Sequence, residues 1–132
     1  MDQISKVHKR EEQKKEHYTW KDIEQLTKQK LPELNTKKYE NIYGIPRGGL
    51  VIATILSYAL NKPLITNKQE ITKNTLIVDD ICDSGKTLEE YKDNDTYTTF
   101  YKKEAKIKPT YYTKITNQET WIVFPWEEWD KN

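Results

Sequence analysis

The sequence predicts an α/β fold in which a parallel β-sheet is flanked by helices. Short apolar segments alternate along the chain with segments of helical periodicity. The segment NTLIVDD, residues 74–80, contains an uninterrupted apolar run, which is typical of a strand covered on both faces. A chain of 132 residues is long enough to bury one hydrophobic core and too short for two. One domain is therefore expected.

Residues 1–17 are dominated by Lys, Glu, Gln and His. This composition cannot bury enough apolar surface to order the segment, so we interpret it as a charged, frayed or solvated helical lead-in. Order is expected to begin at Tyr18. There Thr19 can cap a helix together with Asp22, apolar residues follow at helical spacing, and Pro32 lies just past the predicted end.

The segment NIYGIPRGGLVIATILSYAL predicts a strand, a tight loop and a helix in succession. The strand is expected over residues 42–45 and the apolar helix up to about Leu60. KPLIT, residues 62–66, predicts a second strand, and NTLIVDD a third. SGKTLEEYKD then predicts a helix opened by a glycine-containing loop. The β-rich segments TYTTFYK, TYYTKI and ETWIVFPWEEW follow, and we find no internal repeat.

Composition and charge exclude several classes of protein. The 22 Lys and Arg residues nearly balance the 21 Asp and Glu residues, which gives a formal net charge of +1. The chain as a whole is therefore not a polyanion binder, no nucleic-acid partner is expected, and any phosphate site must be local. No apolar run approaches the roughly 20 residues that a membrane span needs, and the N-terminus lacks the apolar core of a signal peptide. We expect a soluble cytoplasmic protein without a membrane partner.

The single cysteine, Cys82, cannot form an internal disulfide, which agrees with a reducing compartment. A reactive thiol is one interpretation of this residue. The favoured one is a small buried side chain beside the motif described next.

The stretch LIVDDICDSGKT, residues 76–87, combines a phosphate-type turn with three acids. Residues 80–87 nearly satisfy the P-loop pattern GxxxxGK[ST], but Asp80 replaces the first glycine, and its carboxylate would repel a polyphosphate. A better ligand carries one phosphate and, a short distance away, neutral hydroxyls that can donate hydrogen bonds to carboxylates. Ribose 5-phosphate fits that description. The alternative is that the acids merely cap a helix and solvate the end of a strand.

Asp79 and Asp80 stand at the carboxyl end of a predicted central strand, where open α/β sheets bind their ligands. They would hold the 2- and 3-hydroxyls of the ribose, or a metal ion bound to them. The turn after them would donate main-chain N–H groups and hydroxyls to the 5-phosphate, helped by the N-terminus of the next helix. Its residues are Asp83, Ser84, Gly85, Lys86 and Thr87.

LIVDDICDSGKTL resembles the signature of the type I phosphoribosyltransferases, in which a hydrophobic strand, two acids and an Asp-Thr/Ser-Gly turn bind 5-phosphoribosyl 1-pyrophosphate. The resemblance extends from about Tyr18 to the C-terminus and implies a domain over residues 18–132. In YGIPRGGLVIA it implies that Arg47 and the amides of Gly48 and Gly49 bind the pyrophosphate leaving group. In similar purine enzymes the bond entering this arginine is a cis non-proline bond.

TWIVFPWEEW resembles the hood of the 6-oxopurine branch, the xanthine-guanine and hypoxanthine-guanine phosphoribosyltransferases, and places hood elements around residues 110–132. The resemblance implies that Trp121 stacks on the purine and that the main chain of Ile122 binds its edge. Glu127 falls where the family has an acid near the second magnesium ion, so Asp80 and Glu127 are the implied Mg²⁺ ligands. Lys102 matches the lysine that contacts the purine 6-oxygen, although the adjacent Lys103 can take that role instead.

The resemblance implies a purine-salvage enzyme that transfers the phosphoribosyl group from phosphoribosyl pyrophosphate to guanine, xanthine or hypoxanthine. Asp83 would be the catalytic residue, exchanging a proton with the imidazole ring of the purine. Relatives form dimers or tetramers, so a homo-oligomer is expected. The segment NKQEITK, residues 67–73, is shorter than the mobile loop that closes over the substrate in many relatives.

Two alternatives compete with this interpretation. The first is a non-catalytic relative that binds nucleotide or phosphoribosyl pyrophosphate as a regulator, and such a protein is expected to lack Arg47 or Asp83, which are both present. The second is an enzyme of the same fold that acts on a pyrimidine or on adenine. Trp121 and Lys102 argue against it.

Overall fold

The computed structural model describes residues 14–35 and 38–128. Within these ranges the chain forms seven strands and two α-helices, in the order β1 (Lys14–His17), α1 (Trp20–Leu34), β2 (Asn41–Gly44), α2 (Gly48–Leu60), β3 (Leu64–Ile65), β4 (Thr75–Cys82), β5 (Thr96–Lys102), β6 (Tyr111–Thr116) and β7 (Thr120–Val123). Short 3₁₀ helices occupy Lys68–Glu70, Thr87–Tyr91 and Pro125–Glu127.

Strands β2 to β6 form a parallel sheet in the order β3-β2-β4-β5-β6, which confirms the predicted α/β fold. The uninterrupted apolar run places β4 at the centre of this sheet, where Leu76, Ile77 and Val78 are completely buried. The carboxyl end of a central parallel strand is where such sheets bind ligands. Asp79 and Asp80 occupy that end of β4.

Helix α1 begins where the sequence predicts. The N–H of Asp22 donates to Oγ1 of Thr19 (3.1 Å) and the N–H of Thr19 donates to Oδ2 of Asp22 (2.8 Å), which confirms the capping box. The predicted end before Pro32 is wrong, because the helix continues to Leu34. Proline removes one helical hydrogen bond, but the side chain of Leu34 is completely buried, and this burial offsets the loss.

The helical interpretation of the lead-in is wrong for residues 14–17, which form strand β1 and pair in parallel with β7 in a separate two-stranded sheet. The N–H of Lys14 donates to the carbonyl of Glu119 (3.1 Å), and the N–H of Tyr18 donates to that of Val123 (3.0 Å). These bonds join main-chain groups, so a charged sequence can make them without burying its side chains. The rest of the lead-in lies outside the described residues.

The segment predicted as a helix after the glycine loop is a single 3₁₀ helix, Thr87–Tyr91. Its side chains Leu88 and Tyr91 are buried. The side-chain Nδ2 of Asn94 then donates to the main-chain carbonyls of Thr72 (2.8 Å) and Thr75 (3.0 Å), which fixes this part of the chain beside the start of β4. These hydrogen bonds end the helix early, and β5 begins soon after them, at Thr96.

The main core lies between the sheet and the helices α1 and α2, with Ile23, Ile52, Val78 and Tyr97 among its completely buried members. It continues under β7, because Ile122 and Phe124 belong to the same cluster. Of the hood elements expected around residues 110–132, β6 belongs to the five-stranded sheet, whereas β7 and the turn after it form the hood and pack against the main core. None of the helices in the described part of the chain is long and apolar enough to cross a membrane.

Candidate active site

The loop after β4 encloses a concavity of about 60 Å³, a size that suits a single phosphate group. Gly85 takes the left-handed φ of 90°, and a Cβ on it would lie 2.6 Å from the main-chain nitrogen of Ile107, so only glycine fits. A left-handed residue turns successive N–H groups toward one point, which is the geometry of an anion-binding nest. The lining residues are Asp79, Ile81, Cys82, Asp83, Ser84, Gly85, Thr87 and Leu88.

Lys86, which the sequence places among the phosphate-binding residues, has its side chain elsewhere. It lines a separate cleft of about 260 Å³ together with Lys106 and Glu89, and it does not line the phosphate concavity. Its N–H contacts Oγ of Ser84 at 3.2 Å. Any contribution of Lys86 to the phosphate site therefore comes from its main chain.

Asp79 and Asp80 lie side by side at the end of β4. Oδ1 of Asp79 accepts the N–H of Asp80 (2.9 Å), and Oδ1 of Asp80 accepts the N–H of Ile81 (2.8 Å). Burial, reinforced by the charge of Asp80, raises the pKa of Asp79 to about 8. Burial also raises the pKa of Asp80, with a smaller contribution from the charge of Glu127. Such a pair gains stability from hydroxyl donors or from a cation.

The acids present suit a magnesium ion that is shared with a substrate. Mg²⁺ is usually held by one or two carboxylates plus substrate phosphates and water. Asp80 and Glu127 line the same cleft, and the charge of Glu127 acts on Asp80. Within the described residues no group of three or more His, Cys, Asp or Glu side chains is arranged to hold a metal by itself.

The loop between β2 and α2 reaches the same edge of the sheet. The bond between Pro46 and Arg47 is cis, as the resemblance implies. A Cβ on Gly48, the first residue of α2, would lie 1.9 Å from Oδ2 of Asp80, so glycine lets the main chain at the end of this loop approach the acidic pair. Arg47 is exposed, and its guanidinium forms no ion pair with any described residue.

A second cleft of about 380 Å³ lies between the sheet and the hood and shares Ile81 and Asp83 with the phosphate concavity. This volume is in the range of small-molecule sites. The cleft brings together most of the residues that the sequence assigns to the base, the metal and catalysis. Its lining consists of Asp80, Ile81, Asp83, Lys102, Trp121, Ile122, Phe124 and Glu127.

Asp83 and Lys102 form an ion pair in this cleft, with Nζ 3.4 Å from Oδ1. The side chain of Lys102 is 9% exposed, whereas that of Asp83 is 62% exposed and open to a ligand. The neighbouring Lys103 is exposed and does not line the cleft. Of the two lysines that the sequence leaves open, Lys102 is the one beside Asp83.

The hood is held by aromatic packing. Phe124 stacks on Trp126 with ring centroids 4.7 Å apart, and Trp126 contacts Trp20 of α1 at 5.7 Å. Oε1 of Glu127 accepts the N–H of Phe124 (2.9 Å), which fixes the turn after β7. Trp121 is 51% exposed and lines the cleft, so an indole face is available to a flat ligand.

Sequence reasoning missed Lys15 of β1, whose Nζ lies 5.5 Å from the centroid of the Trp121 ring. No local signal identifies this lysine, since it stands in a charged run and meets Trp121 only through the pairing of β1 with β7. Cys82 is buried as predicted, with its thiol donating to the carbonyl of Ile107 (3.2 Å). Burial raises the pKa of this thiol to about 11.

The short segment 67–73 is anchored beside the phosphate loop. Lys68 forms an ion pair with Glu90 of the 3₁₀ helix Thr87–Tyr91, and Ile71 packs against the cluster of Tyr43, Ile77 and Tyr91. The segment therefore packs against its own domain at this point.

No protein-family model matches the chain. The xanthine-guanine phosphoribosyltransferase of Cereibacter sphaeroides is 31% identical to it, with 84% of this chain and 86% of the relative aligned. The enzyme of the same name from Nitratidesulfovibrio vulgaris is 30% identical, with 67% and 69% aligned. The crystal structure of a purine phosphoribosyltransferase from Pyrococcus horikoshii is similar with a TM-score of 0.75 and 29% identity, over 89% of this chain and 97% of that one. The comparison of sequences and the comparison of structures thus indicate relatives of the same kind, the purine phosphoribosyltransferases.

Proposed function

The chain belongs to the purine phosphoribosyltransferases of type I, and on that premise we propose that it transfers the 5-phosphoribosyl group of phosphoribosyl pyrophosphate to a 6-oxopurine. The acceptor is guanine, xanthine or hypoxanthine. The products are the nucleoside monophosphate and pyrophosphate.

The observation that carries this proposal is that the phosphate concavity and the 380 Å³ cleft meet at Asp83. The phosphate concavity has the volume and the glycine turn of a phosphate site. The 380 Å³ cleft offers the exposed indole of Trp121 and the buried ammonium of Lys102. A nucleoside monophosphate needs both, at the two ends of one ribose. Lys102 is a donor without acceptor capacity, so it favours the 6-oxo group of these purines over the 6-amino group of adenine.

The reaction needs orientation and charge placement more than covalent help from the protein. A nitrogen of the purine forms a bond to the anomeric carbon of the ribose while the bond from that carbon to the pyrophosphate oxygen breaks. Asp79 and Asp80 accept hydrogen bonds from the ribose hydroxyls. These donors and a bound cation would counteract the burial that raises the pKa of both carboxyls in the free protein, and the resulting negative charge favours the oxocarbenium-like transition state. Arg47, which has no ion-pair partner among the described residues, binds the departing pyrophosphate. Asp80 and Glu127 would hold a Mg²⁺ ion, which would supply positive charge to neutralise the pyrophosphate.

Asp83 exchanges a proton with the imidazole ring of the base. In the free protein it is paired with Lys102, at 3.4 Å. A 6-oxopurine in the cleft would place its 6-oxygen near the ammonium of Lys102 and a nitrogen of its imidazole ring near the carboxylate of Asp83. The ion pair thus holds the two groups at a spacing that one purine can bridge.

The test is pyrophosphate release from phosphoribosyl pyrophosphate and Mg²⁺, with guanine, hypoxanthine, xanthine, adenine and orotate supplied in turn. We expect release with one or more 6-oxopurines only, and a loss of about 10²- to 10⁴-fold in kcat for Asp83→Asn. Release with adenine or orotate alone would contradict the base assignment. Protein that binds phosphoribosyl pyrophosphate but releases nothing with any base would instead be the regulator, which the presence of Arg47 and Asp83 does not favour.

We further propose a cytoplasmic homo-oligomer. Segment 67–73 is short and packs against its own domain at Lys68 and Ile71, so we expect it to cover the site less well than a longer loop would. A neighbouring subunit can supply that cover. Light scattering at the concentration used for the kinetic assay measures the state directly. A monomer with full activity would contradict this part of the proposal.

A further inference from the structure

Strand β1 brings a lysine to the ring that the proposed function assigns to purine stacking. Lys15 and Trp121 are direct partners in the parallel pairing of β1 with β7, and paired residues project from the same face of a sheet. Nζ of Lys15 lies 5.5 Å from the centroid of the Trp121 ring, inside the roughly 6 Å within which a cation is attracted by an indole face.

The two faces of this indole are in different surroundings. Trp121 lines the 380 Å³ cleft, whereas Lys15 is not among the described residues that line it. The ammonium lies over one face of the ring, here called the outer face, and the opposite, inner face is the one available to a ligand in the cleft. Because one face is already occupied by a cation, a flat ligand has one face left to stack on.

The Trp121 ring is not part of the aromatic stack of the hood. Its neighbours Phe124 and Trp126 stack on each other at 4.7 Å, but Trp121 makes no aromatic contact with any described residue. It is also 51% exposed. A half-exposed side chain loses conformational entropy when a ligand fixes it, and a contact that fixes it beforehand lowers that cost.

We propose that Lys15 is a positioning residue for the purine: its ammonium holds the indole of Trp121 from the outer face and keeps the inner face aligned with the cleft. This proposal rests on the proposed function, in which Trp121 stacks on the base. Lys15 touches neither the base nor the phosphoribosyl group, so it acts through Trp121. Its effect belongs to base binding alone.

The experiment compares Lys15→Met, Lys15→Arg and Lys14→Met with the wild-type enzyme. Methionine keeps the length of the side chain without the charge, arginine keeps the cation, and Lys14 is the matched control because it pairs with Thr120 on the other face. For Lys15→Met we expect the KM for the base to rise about two- to fivefold, the range that follows from an exposed cation–π contact. The KM for phosphoribosyl pyrophosphate and kcat should not change, Lys15→Arg should restore the KM, and Lys14→Met should behave as wild type.

Two further measurements separate positioning from a general structural effect. In a Trp121→Leu background, Lys15→Met should add nothing to the KM for the base. Acrylamide should quench the emission of Trp121, taken as the difference from Trp121→Phe, more strongly in Lys15→Met than in wild type. An unchanged KM for the base, a parallel rise for both substrates, or an effect that persists without Trp121 would overturn the proposal.

The quenching measurement needs no turnover. If the wild-type protein releases no pyrophosphate with any base, the proposed function fails, and unchanged quenching in Lys15→Met would then overturn the positioning role by itself. Increased quenching without turnover would support the contact between Lys15 and Trp121 while the function is rejected.

Discussion

At the scale of single residues, Asp79 opposes folding at neutral pH in the metal-free protein. Its pKa is about 8 in the folded chain, against about 3.9 for an unperturbed aspartate. The folded state therefore holds this proton more tightly than the unfolded state does. The stability that the protonated group contributes is fully present below about pH 4 and is lost as the pH rises through 8.

We expect Asp79→Asn to stabilise the metal-free protein at pH 8 by at least about 1 kcal/mol and to flatten the fall in stability between pH 5 and pH 8. Asparagine keeps the oxygen that accepts the N–H of Asp80. Urea unfolding in EDTA at the two pH values measures the effect, with the exposed Asp93→Asn as control. An equal pH dependence in wild type and Asp79→Asn would refute the expectation.

Lys102 and Lys103 are neighbours with opposite environments, which makes them a matched pair for the base assignment. A hydrogen bond to a charged group is worth about 1.5–3 kcal/mol, so Lys102→Met should lower kcat/KM for 6-oxopurines about 10- to 100-fold and weaken discrimination against adenine. Lys103→Met should leave both unchanged, because its side chain is exposed and outside the cleft. Circular dichroism checks that Lys102→Met is folded, and equal effects of the two variants would reject the role of Lys102.

At the scale of elements, the turn after β4 depends on Gly85. Alanine there would have to adopt a φ of 90° and would meet Ile107 at 2.6 Å. The left-handed conformation alone costs about 1–2 kcal/mol for a residue with a Cβ. We expect Gly85→Ala to lower stability by that amount or more and to weaken ribose 5-phosphate binding, measured by calorimetry. Lys86→Ala is the control, since Lys86 has a φ of −61° and its side chain is outside the concavity. An equal loss in both variants would contradict the interpretation of the Gly85 turn as an anion-binding nest.

The elements that the sequence predicts well are those encoded locally. The capping box of α1 needs only Thr19 and Asp22, and the acids of β4 follow directly from its apolar run. Strand β1 was not predictable in this way, because its order comes from main-chain bonds to β7, about a hundred residues later in the chain. The 3₁₀ helix Thr87–Tyr91 ends early for a similar reason, since Asn94 bonds to Thr72 and Thr75.

At the scale of the whole molecule, the candidate site is assembled from parts that are far apart in sequence. Arg47 precedes α2, the phosphate turn follows β4, and Trp121 belongs to β7. The motifs predict each part, and the parallel order β2-β4-β5 brings the first two to one edge of the sheet. The position of Trp121 follows from the packing of the hood, which local patterns do not encode. Ligands that bridge these parts must therefore stabilise the fold as a whole.

This linkage gives a prediction that tests the two phosphate sites separately. A ligand present at 100 times its Kd stabilises the folded state by about 2.7 kcal/mol. We expect ribose 5-phosphate and magnesium pyrophosphate each to raise the Tm of the wild-type protein. Arg47→Met should remove most of the increase caused by pyrophosphate and leave that caused by ribose 5-phosphate. Arg47 directly precedes Gly48, which lies against Asp80, and it does not line the phosphate concavity. Gly85→Ala should show the reverse pattern, and a parallel loss of both increases in either variant would mean that the two anions share one site.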